Sequence, residues 1–581
     1  MATVNVKING VEYAVPQGST VLEAARIANI DIPTLCYLKD INEIGACRLC
    51  LVEVKGARGL VTACVYPVNE GMEIFTNTPR VQASRKMNLQ LILSNHEKKC
   101  LSCIRSTNCE LQKLCRDYGV DEGYIKGTVN EYKIDDSSVS IIRDNNKCIL
   151  CRRCVGACNN QGVGVIGANN RGFDTEISCA FGQDLASTSC INCGQCIVSC
   201  PVGALYERDD TDKIFDAIAD PTKHVLICTA PSVRAQIGEC FGYAPGTDCE
   251  GKMVAALRRL GFDGVFDMNF TADLTILEEA NEFLSRVKNG GALPMITSCS
   301  PGWIKFCEHY YPDFVDNLST CKSPQQMFGA IAKTYYAEKM GWDPKDIVFV
   351  SAIPCTAKKF EIGRDGQSAA GVPDVDFAVT TREVGRMIEK AGIKFRDLAD
   401  EGFDDPFNVA SGAGVIFGAT GGVMEAALRT AAEVIEGKPL EKVEFNDVRG
   451  VEGVKLASYK IGDINLNVAV ASGSGNAKKI LDAVRAGELD VQFIEVMACP
   501  GGCVNGGGQP IQPASVRNSI DLAATRAAIL YKADEQKDIR KSHESSAVKK
   551  IYDEYFGEPN SHKAHEILHT HYVKRGLYNN K

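Results

Sequence analysis

No dense run of basic residues occurs anywhere in these 581 residues, and the formal net charge is −9, which argues against nucleic acid as a partner. No apolar stretch approaches the ~20 residues that a membrane-spanning helix needs, so direct membrane insertion is not expected. The opening MATVNVKINGVEYAV alternates apolar and polar residues and lacks the basic start and apolar core of a secretory signal. Read alone, the chain is expected to be soluble and cytoplasmic. No nucleotide-binding G-x-G-x-x-G unit, of the kind set between a strand and a helix, and no flavin site is evident, so any NAD(H) chemistry would have to reside on a partner.

What the chain has in excess is cysteine. There are 26, and 17 of them fall in the first 200 residues, nearly all in short-spaced groups. A small secreted domain would use so many for disulfides, but this chain is large, with an ordinary apolar fraction of 45% and a charged fraction of 24%. Triplets spaced two residues apart cannot easily pair internally. Metal binding explains them.

The first segment predicts a small sheet: Val4, Val6 and Ile8 alternate, Asn9-Gly10 signals a hairpin, and Val11, Tyr13 and Val15 alternate again. Thr20 and Glu23 form a capping box that opens a helix through Ala28. The region 80–96 reads as helical. Between 139 and 207 two cysteine runs about forty residues apart make an internal repeat. From Lys223 onward, β-rich runs alternate with helical stretches: His224–Cys228, Gly264–Met268, Leu293–Thr297, Ile347–Ala352, Phe377–Val379, Leu466–Ala471 and Phe493–Met497. This predicts parallel α/β sheets. Three of the strands run into the cysteine motifs TSCSPGW, IPCTAKKFE and EVMACPGGC. Ligands in open α/β sheets bind beyond the carboxyl ends of strands, so these cysteines are expected to share one site. From about 520 the chain reads as a polar helical tail domain.

Cys36, Cys47, Cys50 and Cys64, spaced C-x10-C-x2-C-x13-C, suit a 2Fe–2S cluster; a four-thiolate zinc site is the alternative. In the second group Cys100, Cys103 and Cys109 supply three thiolates, with His96 and Cys115 as rivals for the fourth position. Cys148, Cys151, Cys154 and Cys158, and again Cys190, Cys193, Cys196 and Cys200, follow C-x2-C-x2-C-x3-C. This is the two-cluster ferredoxin run, in which the fourth cysteine of each run ligates the other cluster. One 4Fe–4S cluster is then expected on Cys148, Cys151, Cys154 and Cys200, the other on Cys190, Cys193, Cys196 and Cys158.

Three long motifs in order behind that cluster set, Thr297–Trp303, Pro354–Glu361 and Glu495–Gly506, closely resemble the signatures of the iron-only (FeFe) hydrogenases. The likeness covers nearly the whole chain, including the glycine-rich 411–429. The first two cysteine groups also resemble a region shared with the large iron–sulfur subunit of complex I, which implies His96 as a ligand. The resemblance implies an α+β multidomain chain: a β-grasp 2Fe–2S ferredoxin-like domain (1–79), a His/Cys-ligated 4Fe–4S segment (80–127), a two-cluster 4Fe–4S ferredoxin (139–210), a large α/β H-cluster domain (211–515) and a small-subunit-like C-terminal region (516–581). It further implies an H-cluster, a 4Fe–4S cube bridged to a diiron unit with CO, cyanide and dithiolate. Cys355, Cys499 and Cys503 become cube ligands with Cys503 as the bridge. Lys358 becomes a donor to cyanide, and Pro231, Ser232, Gln325, Ile353 and Met497 line the diiron pocket.

The first motif departs from the family, which carries two adjacent cysteines where this chain has Cys299 and Ser300. Either Cys299 ligates the cube and Ser300 lies near the proton relay, or Ser300 is an oxygen ligand beside a relaying Cys299. The family's proton path maps onto Cys299, Glu279, Ser319, Glu282 and Arg286, the two glutamates and the arginine being helically spaced. The implied activity is reversible interconversion of H2 with protons and electrons. The implied partners are ferredoxin and flavin- or NAD(H)-bearing subunits of an electron-bifurcating complex; a monomeric ferredoxin-dependent enzyme and a non-catalytic assembly relative are the alternatives. Cys179, Cys228, Cys240, Cys249, Cys307 and Cys321 read as small hydrophobes, and the histidines at 562, 565, 569 and 571 as polar residues on the closing helix.

Overall fold

The computed structural model describes residues 2–440, 442–462 and 464–577. The chain begins as a five-stranded sheet. β1 (Thr3–Ile8) pairs antiparallel with β2 (Val11–Pro16), and the strands β3 (Leu51–Val54), β4 (Val61–Thr62) and β5 (Met72–Phe75) complete the order β2-β1-β5-β3-β4. The helix Val21–Ile27 opens with the Thr20–Glu23 capping box and packs Val21, Leu22, Ala24 and Ala25 against this sheet. The parallel β1–β5 pair, a helix on one face and the cysteine loop beneath give the β-grasp arrangement.

The helix Pro79–Ser94 ends before His96, which therefore sits in a loop rather than on a helical turn leading to Cys100. This segment and the two-run segment share one apolar core, in which Leu89, Leu93 and Leu111 meet Ile141, Ile166, Ile177 and Ile197. Two small antiparallel pairs, β6 (Ile141–Arg143) with β9 (Leu205–Glu207) and β7 (Gly167–Asn169) with β8 (Glu176–Ser178), frame the cysteine runs.

The large region holds two four-stranded sheets. In the first, β11 (Gly264–Asp267), β10 (His224–Thr229), β13 (Ile347–Ile353) and β14 (Phe377–Thr380) are parallel throughout. In the second, β12 (Met295–Ile296), β17 (Phe493–Met497) and β16 (Ile464–Ser472) are parallel, and β15 (Val454–Ile461) closes the edge antiparallel to β16. The sequence reading missed β15, whose residues alternate between buried and more exposed as an edge strand's do, so it lacks the continuous apolar run of its neighbours. β12 is shorter than the expected Leu293–Thr297, since Pro294 has no N–H to give the ladder.

The tail is not a separate domain. Val548, Ile551, Tyr552, Phe556, Ile567 and Leu568 are buried in the core of the first sheet, and Ala527 and Leu530 pack on the helix Gly412–Ile416. A polar segment of this length has too few apolar residues for a core of its own. No helix among the described residues is long and apolar enough to cross a membrane.

Candidate functional site

β10, β13 and β17 end at one place. Their exits, with the N-terminus of the helix Pro301–Tyr310 and the loop Cys499–Gly508, surround a cavity of about 80 Å³. Its wall includes Pro231, Ser232, Cys299, Ser300, Gln325, Ile353, Cys355, Lys358, Met497, Cys499 and Cys503, so residues from five separate parts of the chain converge. Cys355, Cys499 and Cys503 lie together, and each thiol is pushed above its ordinary range by burial. Three such sulfurs on the wall of a largely apolar cavity suit an iron–sulfur cube, which takes thiolates and relieves that burial by metal coordination.

Lys358 is held by three acceptors: the Cys299 carbonyl at 3.2 Å, Ser323 Oγ at 2.7 Å and Glu361 Oε2 at 2.8 Å. The same Glu361 oxygen takes Gln325 Nε2 at 3.1 Å and Ser323 Oγ at 2.9 Å. Gln325 Oε1 is buried without a partner, a polar atom free for a ligand group. Sequence reasoning missed Ser323 and the anchoring role of Glu361; the i, i+3 spacing of Lys358 and Glu361 was the available signal. Glu495, in the third motif, accepts from Gly421 N at 2.6 Å and Met424 N at 2.7 Å and so fixes the glycine-rich turn against the cavity floor.

Cys299 and Ser300 diverge. The Cys299 thiol is pushed well above its usual range by burial and then by the Glu279 carboxylate, with Lys358 opposing. Ser300 Oγ accepts from the Ala498 N–H at 3.3 Å, one residue before Cys499. Glu279 is fully buried, and desolvation followed by the charge of Glu282 pushes it up to about 8, against the Ser319 hydroxyl and the Ser298 N–H. Ser319 Oγ donates to Glu282 Oε2 at 3.1 Å, and Arg286 donates to Glu282 Oε1 at 2.6 Å. Glu279, Ser319, Glu282 and Arg286 thus form one hydrogen-bonded file, whose Glu279 end is felt by Cys299 on the cavity wall.

The accessory cysteines fall into separate cavities. Cys50 and Cys64 have sulfurs 3.3 Å apart, and Cys47 N donates to Cys36 Sγ at 3.4 Å. His96, Cys100, Cys109 and Cys115 line a second space, where His96 Nδ1 is buried without a partner; Cys103 Sγ packs against Gly203. Cys148, Cys151, Cys154 and Cys200 line a third; Cys158, Cys190, Cys193 and Cys196 a fourth. Neighbouring spaces are stitched by backbone contacts. Asn42 Nδ2 donates to the carbonyls of Cys36 and Cys151 at 2.7 and 3.0 Å, and Arg105 donates to the Cys200 carbonyl at 3.0 Å. Cys193 lines the large cavity as well as the fourth space, and the Thr356 hydroxyl ties Cys355's loop to the Asn192 carbonyl at 2.7 Å.

Of the other cysteines, Cys179, Cys228, Cys249, Cys307 and Cys321 are buried and Cys240 is half-buried. Cys321 is more than filler, its Sγ lying 3.7 Å from Glu282 Oε2. His569 is likewise no surface residue: the closing helix ends at Leu568, and His569 turns inward.

Comparison with known proteins gives the same picture. Residues 223–507 match the iron only hydrogenase large subunit, C-terminal domain, and 520–575 the iron hydrogenase small subunit. Residues 1–79 match a 2Fe-2S iron-sulfur cluster binding domain, 85–123 the NADH-ubiquinone oxidoreductase-G iron-sulfur binding region, and 187–206 a 4Fe-4S binding domain. The NADP-reducing hydrogenase subunit HndD of Solidesulfovibrio fructosivorans is 49% identical over 99% of this chain and 100% of its own length. Iron hydrogenase 1 of Clostridium pasteurianum is 45% identical over 98% of this chain and 99% of its own. A structure of apo FeFe-hydrogenase HydA1 from Chlamydomonas reinhardtii, 43% identical, covers 64% of this chain and 100% of that one with a TM-score of 0.57. With iron–sulfur modules leading to a cavity of this shape and these relatives along its full length, the chain belongs to the iron-only (FeFe) hydrogenase family, oxidoreductases that interconvert H2 with protons and electrons at an H-cluster.

Proposed function

We propose that this chain is the H2-converting subunit of a cytoplasmic, hetero-oligomeric hydrogenase whose partner subunits carry flavin and NAD(P)(H), with ferredoxin as a second electron partner and electron bifurcation as the mode of coupling. One observation carries the reading: two separate cysteine-lined modules, at Cys36–Cys64 and His96–Cys109, both lean on the Cys148–Cys200 cavity, so electrons can enter or leave by two branches. From there a single line runs through the Cys158–Cys196 cavity to Cys193, beside Cys499. The name of the full-length relative HndD, a subunit of an NADP-reducing hydrogenase, supports the oligomeric part.

Segments 1–79, 80–127, 139–210, 211–515 and 516–581 take the roles of 2Fe–2S module, His/Cys cluster module, two-cluster ferredoxin, catalytic region and small-subunit-like closure. His96, whose buried nitrogen has no other partner, serves as the fourth ligand beside Cys100, Cys103 and Cys109. When bound, the H-cluster supplies an iron pair for the chemistry of H2 and a cube that exchanges electrons with the accessory clusters. Cys355, Cys499 and Cys503 would hold it. Pro231, Ser232, Gln325, Ile353 and Met497 exclude water, and Lys358 presents an ammonium to an anionic ligand. Cys299, which feels Glu279, takes the proton side, and Ser300, bonded beside Cys499, gives its oxygen to the cube side. Protons move between Cys299 and solvent by Glu279, Ser319, Glu282 and Arg286.

Purification of the tagged chain from its own cells tests the proposal. Stoichiometric flavin-bearing subunits and H2-dependent reduction of NAD(P)+ with ferredoxin are expected; a lone chain active with ferredoxin only overturns it. For the divided motif, Cys299→Ser is expected to keep the iron content and infrared CO and cyanide bands while losing turnover. Loss of cube iron in Cys299→Ser, with Ser300→Ala unaffected, reverses the two roles.

A further inference from the structure

Glu278, Glu279 and Glu282 are all buried on one stretch of the helix Asn269–Asn289, and each has a different neighbour. Glu282 has Arg286, Glu279 has the Ser319 hydroxyl, and Glu278 has His569 from the far end of the chain. His569 Nε2 lies 3.1 Å from Glu278 Oε2, while its Nδ1 lies 2.8 Å from Thr320 Oγ1. Glu278 is itself fixed by the Tyr552 hydroxyl and by Asn560 N at 2.8 Å. The result is a buried carboxylate–imidazole–hydroxyl file. With the carboxylate on Nε2, that nitrogen carries the hydrogen, and Thr320, able both to donate and to accept, keeps its contact in either charge state of the ring.

The hydroxyl at the end of this file belongs to a residue whose backbone touches the proton route. Thr320 N donates to both oxygens of Glu282, at 3.2 and 3.0 Å, and Thr320 follows Ser319 directly. The 319–321 segment is in neither a helix nor a sheet. It is held on one side by the Ser319 N–H bond to the Ile296 carbonyl, and on the other by the C-terminal segment, where Lys322 N donates to Leu568 O and Thr570 N to Thr320 O, each at 2.8 Å. His569 is the one side chain of that segment that reaches Thr320 Oγ1, and its ring nitrogen, Cys321 Sγ and a Glu282 oxygen lie within 4.8 Å of one another. A staple made only for stability would be better served by apolar residues, since a buried ionisable pair loses much of its attraction to desolvation.

We propose that His569, with Glu278 and Thr320, is a positioning residue for Glu282, and that the end of the chain thereby sets the geometry of the proton route. The proposal rests on the route assigned above. The clamp holds the Thr320 amide on Glu282 and keeps Ser319 Oγ between Glu282 and Glu279, where a shift of about 1 Å can cost 10²-fold in rate. The groups facing His569 are Glu278, Glu282, Thr320, Cys321 and the tilted ring of His565, 4.0 Å away between centroids, with Tyr552 behind on Glu278.

The test uses the full-length, cofactor-loaded enzyme in four forms: wild type, Glu282→Gln, His569→Gln and Thr320→Val. His569→Gln and Thr320→Val are expected to lower turnover about 10- to 100-fold, to displace the pH–rate profile and to leave the infrared CO and cyanide bands unchanged. Thr320→Ser is expected to regain most of what Thr320→Val loses. In the protein without its H-cluster, amide exchange of 318–323 rises in His569→Gln. If Glu282→Gln is inactive while His569→Gln and Thr320→Val keep wild-type rates and pH profiles, the clamp is wrong and the route stands. If Glu282→Gln turns over normally, the route itself is wrong. Should His569→Gln fail to accumulate, the near-isosteric Thr320→Val decides between the same outcomes.

Discussion

Ser319 and Glu282, 37 positions apart in the chain, meet at 3.1 Å, the hydroxyl of one donating to the carboxylate of the other. The contact joins the long helix after β11 to the segment after β12, and it places a group able both to donate and to accept between two buried carboxylates. Glu282 is anchored from outside by Arg286, which also binds the Leu318 carbonyl at 2.7 Å and so holds the Ser319 segment from its other end.

Glu279→Gln keeps the shape of the buried side chain and its hydrogen-bonding capacity but cannot carry a proton. Turnover in both directions is expected to fall by about 10²–10⁴, the usual worth of a positioned acid–base group. Iron content and infrared bands are expected to be those of wild type. Undiminished activity removes Glu279 from the route.

The raised affinity of Glu279 for its proton also fixes the sign of two pH effects. Held near 8 in the folded protein against an ordinary 4.5, Glu279 is neutral at pH 7 and ionises above about 8. H2 evolution, which needs the protonated donor, is expected to decline through that pH; H2 oxidation, which needs the base, is expected to climb. Between these two values the native state binds more protons than the unfolded chain, so the contribution to stability is full below 4.5 and is lost as pH rises through about 8. Thermal melts of wild type and Glu279→Gln across that window should coincide at the acid end, where Glu279 is neutral like the glutamine, and diverge at the alkaline end, where only wild type must bury a charge.

The catalytic strands, the cysteine groups and the carboxylate file were legible because each has a short-range signature. β-branched runs mark buried parallel strands, two-residue spacings mark cluster ligands, and Glu279, Glu282 and Arg286 keep helical spacing. The residues that sequence reasoning missed act across long separations. Glu278 and His569 are 291 positions apart, and nothing local in HKAHEILH distinguishes a histidine that turns into the core from those exposed beside it. Cys321 read as a small hydrophobe, and by burial it is one; only the fold brings Glu282 to its sulfur. The edge strand β15 escaped because Lys455, Ser458 and Lys460 break the continuous apolar run that marks its neighbours. The tail read as a domain of its own since its polar surface is visible in sequence while the core it borrows is not.

Behind the cavity, Arg429 lies fully buried between Glu425 and Asp534, with bonds of 2.7 and 2.8 Å, and Arg449 and Arg540 complete the network. Asp534 belongs to the helix Leu522–Glu535, so this cluster fastens the tail to the glycine-rich helix Gly422–Glu436. Arg429→Ala leaves Glu425 and Asp534 facing each other with less positive charge between them. A loss of about 3–5 kcal/mol is expected, read as a lower denaturant midpoint. Arg429→Lys should recover only part, since a lysine cannot bridge two carboxylates as a planar guanidinium does.

Gly502 sets the loop that carries Cys499 and Cys503. Its φ is +94°, and a Cβ there would stand 2.6 Å from Thr420 N and 2.9 Å from the Ala419 carbonyl carbon. Those atoms are backbone of the glycine-rich turn that Glu495 holds in place, so they cannot move aside as the end of a flexible side chain would. Gly502→Ala therefore has to displace either the Cys503 side or the Thr420 side of the cavity. Because Cys503 and Cys499 lie on either side of Gly502, the first effect is expected on cluster retention rather than on global stability. The purified variant should keep the iron of the accessory clusters and their reducible signals while losing cube iron and the CO and cyanide infrared bands after maturation. A Gly502→Ala protein with full infrared intensity would show that the turn yields without disturbing the thiolates, and the close approach at Thr420 would then have no part in holding the site.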